Sequence, residues 1–105
     1  MTRPSVLDEG VVDDWLGAHP AWRRDGGRLV REVRTRSYAR CVDILVAQTR
    51  VAEELEHHPL ITIGYCTMRV ETWTHQPLGL TSLDLAYAAA FEDVLRGLGE
   101  NEKSP

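Results

Sequence analysis

Residues 53–72 read EELEHHPLITIGYCTMRVET. The hydrophobic period changes inside this stretch. Upstream, Tyr38, Cys41, Val42, Leu45, Ala52 and Leu55 follow the 3,4 repeat of an amphipathic helix over about residues 38–56. Arg40, Asp43, Arg50 and Glu54 give that helix its polar faces, and Ser37 is its N-cap. Pro59 stops it. Beyond Pro59 the period is two: Ile61, Ile63 and Tyr65 alternate, and so do Met68, Val70 and Thr72. A two-residue turn at Cys66-Thr67 pairs Tyr65 with Met68, Ile63 with Val70 and Ile61 with Thr72. Those six side chains then share one face suited to packing under helices. Carried outward, the same register pairs His58 with His75.

The rest of the chain fits around this unit. Val6, Leu7, Val11, Val12, Trp15 and Leu16 have helical spacing over residues 5–18, although Gly10 weakens it. WRRDGGRLVREV reads as a hairpin around Asp25-Gly26-Gly27, where glycine tolerates positive φ. After a loop holding Pro77 and Gly79, Thr81 opens a last helix carrying Leu83, Ala86, Tyr87, Ala90, Phe91, Val94 and Leu95. Gly97 and Gly99 end that helix, and residues from about 98 to 105 read as a frayed tail. The element order is α-β-β-α-β-β-α. Its simplest packing is an α+β two-layer domain, with a four-stranded antiparallel sheet and three helices on one face.

Composition narrows the function. One domain of 105 residues buries roughly two-thirds of its unfolded surface. A net charge of −4 argues against coating nucleic acid or anionic lipid. Cys41 and Cys66 lie in apolar patterns of different elements, with no CxxC and no disulfide framework. Asp8, Glu9, Asp13 and Asp14 interrupt the only candidate leader, and no run approaches the ~18 apolar residues of a membrane span. A soluble cytoplasmic domain is the expectation.

The chemistry-bearing residues are histidines. The hairpin register brings His75 to the end where His57 and His58 leave the long helix. Glu53 is one helical turn before His57. Imidazole moves protons near neutral pH, and carbonyls at a helix C-terminus favour the imidazolium form. A histidine cluster without a nucleophilic Ser or Cys points to elimination, hydration or isomerisation rather than acyl transfer. Each residue taken singly has a structural reading as well. An HH pair complements a helix dipole, and Glu53 is a solvated helix residue. His75 ends a strand, while Thr81-Ser82-Leu83-Asp84 has the form of a capping box. Trp15 and Trp73 are packing residues, and Trp22 is core or pocket wall. Glu53, His57, His58 and His75 are also metal-ligand types, but adjacent histidines seldom aim both rings at one ion and the HExxH spacing is absent.

The spacing Glu53-x3-His57-His58-Pro59-x5-Tyr65-x9-His75-x8-Asp84, with HQPLGLTSLD at 75–84, resembles the signature of the pterin-4a-carbinolamine dehydratases. The match is good over about residues 52–90, weaker over 22–50, and before Trp22 only a helix is comparable. The resemblance implies the α+β fold above. It also implies dehydration of 4a-hydroxytetrahydropterin to quinonoid dihydropterin, in recycling of the tetrahydropterin used by aromatic amino acid hydroxylases. No metal or organic cofactor is implied, and a homodimer or homotetramer is. By carry-over His57 and His75 are the acid–base pair and His58 positions substrate. Pro59, Thr74, Gln76 and Pro77 hold the pterin edge together with the histidines. Glu53 orients a histidine, Asp84 holds the loop and helix start, and Trp22 supports the site.

The chain departs from the family pattern after HHP. Leu60-Ile61-Thr62-Ile63-Gly64 stands where a Trp and an Asn are usual, Cys66 where an Asn is usual, and Val33 and Thr35 where phenylalanines are usual. No catalytic position is lost. Three functions stay open: the dehydratase, an enzyme of the same scaffold acting on another heterocycle, and a non-catalytic oligomerisation or coactivator module.

Overall fold

A computed structural model describes residues 4–100. The elements are α1 (Glu9–Ala18), β1 (Trp22–Asp25), β2 (Arg28–Arg34), α2 (Tyr38–Leu55), β3 (Leu60–Gly64), β4 (Thr67–Thr72), β5 (Thr74–His75), β6 (Leu78–Gly79) and α3 (Ser82–Gly97). The four long strands form one antiparallel sheet in the order β1-β2-β4-β3, and β5 and β6 form a separate two-stranded ribbon. The expected α+β order holds. The Pro77/Gly79 loop is that ribbon, and the first helix begins at Glu9 rather than at residue 5.

Alternation sorts the sheet into two faces. Leu29, Val33, Met68 and Val70 enter one core with Val12, Cys41, Ile44, Tyr87, Ala88, Phe91 and Leu95 of the helices. Burying a large apolar side chain of this kind contributes about 1.5–3 kcal/mol relative to exposure. One polar pair crosses the core, where the Tyr87 hydroxyl donates to Gln48 Oε1 at 2.6 Å. Gly26 turns the β1–β2 hairpin at φ +63°, as its sequence requires.

The β3–β4 register differs from the expected one. Ile61 pairs with Val70, Ile63 with Met68 and Gly64 with Thr67, so the turn is Tyr65-Cys66. The shift is two residues, which preserves the parity of every side chain. Ile61, Ile63, Met68, Val70 and Thr72 therefore keep a common face, and alternation alone cannot distinguish the two registers. Tyr65 leaves that face. It sits in the turn at φ +59°, 87% exposed. Three contacts hold the turn there: Thr35 donates to Cys66 O from its N–H at 2.8 Å and from Oγ1 at 3.4 Å, and Thr67 Oγ1 donates to Gly64 O at 2.8 Å. Because β3 starts at Leu60 and β4 ends at Thr72, the expected pairing of His58 with His75 does not occur.

Candidate active site

The end of α2 aims the first histidine. Ser37 caps the start of that helix, accepting from Arg40 N–H at 3.0 Å. At the other end Glu56 takes a left-handed conformation, φ 51° and ψ 42°. His57 N–H donates to Ala52 O at 3.0 Å and Glu56 N–H to Glu53 O at 3.2 Å, which is the Schellman pattern. This reversal turns His57 inward and leaves His58 outside. Adjacent residues thereby reach different surroundings.

His57 is 8% exposed, and its Nε2 lies 2.7 Å from Asp84 Oδ1. Asp84 is completely buried at the third residue of α3. Its carboxylate accepts from Thr72 Oγ1 at 2.7 Å, Thr74 Oγ1 at 2.8 Å and Thr81 N–H at 3.0 Å. The capping box read from Thr81 to Asp84 is therefore present, and the same carboxylate also serves a histidine. Burial pushes the Asp84 carboxyl up, but bonds from His57, Thr72, the Thr81 backbone and Thr74 outweigh it and hold the group below its usual range. An ionised carboxylate only accepts, so Nε2 of His57 carries the hydrogen. Among the described residues Nδ1 has no partner, and it is not a sealed unpaired atom. Nδ1 is thus the ring nitrogen open to a ligand.

The other residues arrange themselves around this centre. His58 Nε2 lies 2.8 Å from Glu53 Oε2, both side chains largely exposed at 60% and 67%. Glu53 accordingly orients His58, although the helical spacing placed it nearest His57. Thr74 binds Asp84 directly, and His75 follows it in the chain. His75 is exposed, and its ring centre is 5.3 Å from that of Trp73. Gln76 and Pro77 form the turn of the β5–β6 ribbon, with a cis peptide between them. Pro59 links α2 to β3. Trp22 stands elsewhere. It packs edge-on against Trp15 and Phe91 and donates from its indole N–H to Glu92 Oε2 at 2.8 Å. Glu92 is eight residues beyond Asp84, ~12 Å along α3 at the helical rise.

A cleft of about 780 Å³ opens at that end, lined by Ala18, His19, Trp22, Ala89, Glu92 and Arg96 among others, and it contains none of the three site histidines. Among the described residues no group of three or more His, Cys, Asp or Glu is gathered as a metal site requires. Among the described residues no helix is long and apolar enough to cross a membrane. Two contacts had no sequence signal: the bond from His57 to Asp84, 27 residues apart, and the Trp73–His75 contact.

Comparison with known proteins places the chain in a family. The family model described as pterin 4 alpha carbinolamine dehydratase matches residues 5–94. A Streptomyces coelicolor protein named "Putative pterin-4-alpha-carbinolamine dehydratase" is 36% identical over 94 residues, covering 89% of this chain and 93% of its own. A relative of the same name from Natronomonas pharaonis is 34% identical over 90 residues, covering 84% and 98%. The crystal structure of a transcriptional coactivator/pterin dehydratase from Brucella melitensis superposes with a TM-score of 0.81 at 23% identity, over 86% of this chain and 98% of that one. A pterin dehydratase-like protein described as a RuBisCO assembly factor in the alpha-carboxysome superposes at 0.60, also at 23% identity, over 70% and 88%. These two structures share the fold. The chain belongs to the pterin 4 alpha carbinolamine dehydratase family.

Proposed function

We propose that this chain dehydrates a 4a-hydroxytetrahydropterin to quinonoid dihydropterin and water, with its own histidines as the acid and the base. The observation that carries the reading is the buried Asp84 carboxylate on His57 Nε2, which leaves Nδ1 facing outward. Nδ1–H of His57 protonates the C4a hydroxyl as the C–O bond breaks. His75 takes the proton from N5, and the electron pair of the N5–H bond becomes the C4a=N5 double bond. One water leaves and the protein's proton count is restored when the two histidines re-equilibrate with solvent. Asp84 fixes the His57 tautomer and balances the ring's charge during transfer. His58, held by Glu53, contacts the substrate without exchanging protons, and Pro59, Thr74, Gln76 and Pro77 hold the pterin edge. The reaction needs no metal or organic cofactor in this scheme. General acid–base groups contribute about 10²–10⁴-fold each, which suits a dehydration that already proceeds in water.

The departures after HHP do not touch this centre. Leu60–Gly64 is the edge strand of the sheet and Cys66 lies in its turn. A homo-oligomer is part of the same reading, supported by Tyr38, Val42 and Val46, which leave an apolar stripe at four-residue spacing exposed on α2. A non-catalytic assembly role is the competing reading, favoured by that stripe alone. The deciding experiment is a dehydration assay on chemically generated 4a-hydroxytetrahydropterin. Acceleration over buffer supports the enzyme, and a rate equal to buffer refutes it.

A further inference from the structure

Two of the three site histidines are held by carboxylates, His57 by Asp84 and His58 by Glu53. His75 is held differently. Among the described residues it makes no hydrogen bond or ion pair, and its ring lies against Trp73, at 5.3 Å between centres and 44° between planes. Trp73 is itself fixed. It interrupts the strand between β4 and β5, is half-buried, and packs against the core. The Arg28 guanidinium sits over its ring at 4.1 Å. Arg28 is tied down in turn, donating from Nη1 to Glu71 Oε1 at 2.8 Å. Glu71 is 7% exposed, and its second oxygen meets Arg69 Nε at 3.3 Å. Arg69 continues to Asp25 and Glu32, each at 3.0 Å. The sheet thus carries a continuous clamp ending on an aromatic ring.

We propose that Trp73, clamped beneath Arg28, is the positioning residue for His75. This rests on His75 acting as the base in the dehydration above. An exposed imidazole on a short ribbon samples several rotamers. A fixed aromatic wall removes some of them at no electrostatic cost, and a reacting group misplaced by about 1 Å loses on the order of 10²-fold in rate. Trp73 does not exchange protons and does not bind the leaving oxygen. Its effect belongs to turnover rather than to substrate affinity.

The test compares wild type with Trp73→Leu, Trp73→Phe and Arg28→Ala, below the unfolding temperature of each, by two readouts. The first is steady-state dehydration. Trp73→Leu is expected to lower kcat by ~10–100-fold with KM within about twofold, and Trp73→Phe, which keeps a ring, to recover most of kcat. Arg28→Ala is expected to fall between them. The second readout is the position of the His75 ring-proton resonances, shifted by the Trp73 ring current in wild type. These are expected to return towards free-histidine positions in Trp73→Leu. Unchanged resonances, or a folded Trp73→Leu with wild-type kcat, would overturn the proposal. A wild-type protein with no dehydration activity overturns the functional reading instead, because the resonances report the Trp73 contact without turnover.

Discussion

Replacing Asp84 by Asn tests the centre of the site with the least change of shape. The carboxylate has four donors on two oxygens: His57 Nε2 and Thr72 Oγ1 on Oδ1, Thr74 Oγ1 and Thr81 N–H on Oδ2. Asparagine offers one oxygen and one NH₂. The Thr81 N–H can only donate, so the amide oxygen goes to that side and the NH₂ faces His57 and Thr72. Threonine can rotate its hydroxyl to accept. His57 must move its hydrogen from Nε2 to Nδ1, and the counter-charge for a doubly protonated ring disappears. Weakening a buried charge-assisted bond in this way costs about 1.5–3 kcal/mol. At roughly 4–8 °C per kcal/mol for a domain of this size, Tm falls by about 6–24 °C. The variant stays folded at 20 °C when total stability lies in the usual range of about 5–15 kcal/mol. Its kcat for carbinolamine dehydration is expected to drop by about 10²–10⁴-fold. Thr72→Val is the control, since it removes one donor from the same oxygen and leaves the His57 bond in place. A folded Asp84→Asn with wild-type kcat would refute the coupling of Asp84 to proton transfer. Equal losses in Asp84→Asn and Thr72→Val would refute the role assigned to the tautomer.

Other expectations follow from the same contacts. Glu56 is a non-glycine residue at φ 51°, so Glu56→Gly is expected to stabilise by about 0.5–1 kcal/mol, read as a rise in Tm with kcat unchanged. Glu53 and His58 are mostly exposed, so Glu53→Ala should change stability by less than about 0.5 kcal/mol while raising KM and sparing kcat; steady-state kinetics and chemical denaturation check both. Asp84 is held below its unfolded value of about 3.8, so the unfolded chain binds more protons between the two values. Its contribution is fully present above the unfolded value and is lost as pH falls through the folded one. Glu71 is depressed too, first by its bond from Arg28, so acid titration of wild type alone mixes the two. The difference in unfolding free energy between wild type and Asp84→Asn removes the Glu71 contribution, and it should shrink as pH falls below ~4.

Much of the fold was legible because its signals are local. The switch from a 3.6 to a 2 period at Pro59, the Asp25-Gly26-Gly27 turn, the Ser37 cap and the Thr81 capping box each act within a few residues of where they are written. The β3–β4 register was not local. Two registers two residues apart bury the same face, and the choice between them lies in Thr35 reaching Cys66 from the end of β2. The site divides in the same way. Family spacing marked His57, His58, His75 and Asp84. Helical proximity pointed Glu53 towards His57, but the left-handed Glu56 reverses the chain and delivers Glu53 to His58. Asp84 looked like a cap because it is one, and its second role depends on a strand and a helix meeting. Trp73 looked like packing for the same reason, since its contact with His75 is made by the break between β4 and β5.

In the proposed dehydration His57, held by the buried Asp84 carboxylate, and His75 move the protons. The most direct test is the initial rate on freshly generated 4a-hydroxytetrahydropterin for wild type, His57→Ala and His75→Ala at equal folded concentration. Wild type is expected to accelerate the reaction, and each variant to lose about 10²–10⁴-fold. Wild type at the buffer rate, or both variants at the wild-type rate, would contradict the proposal.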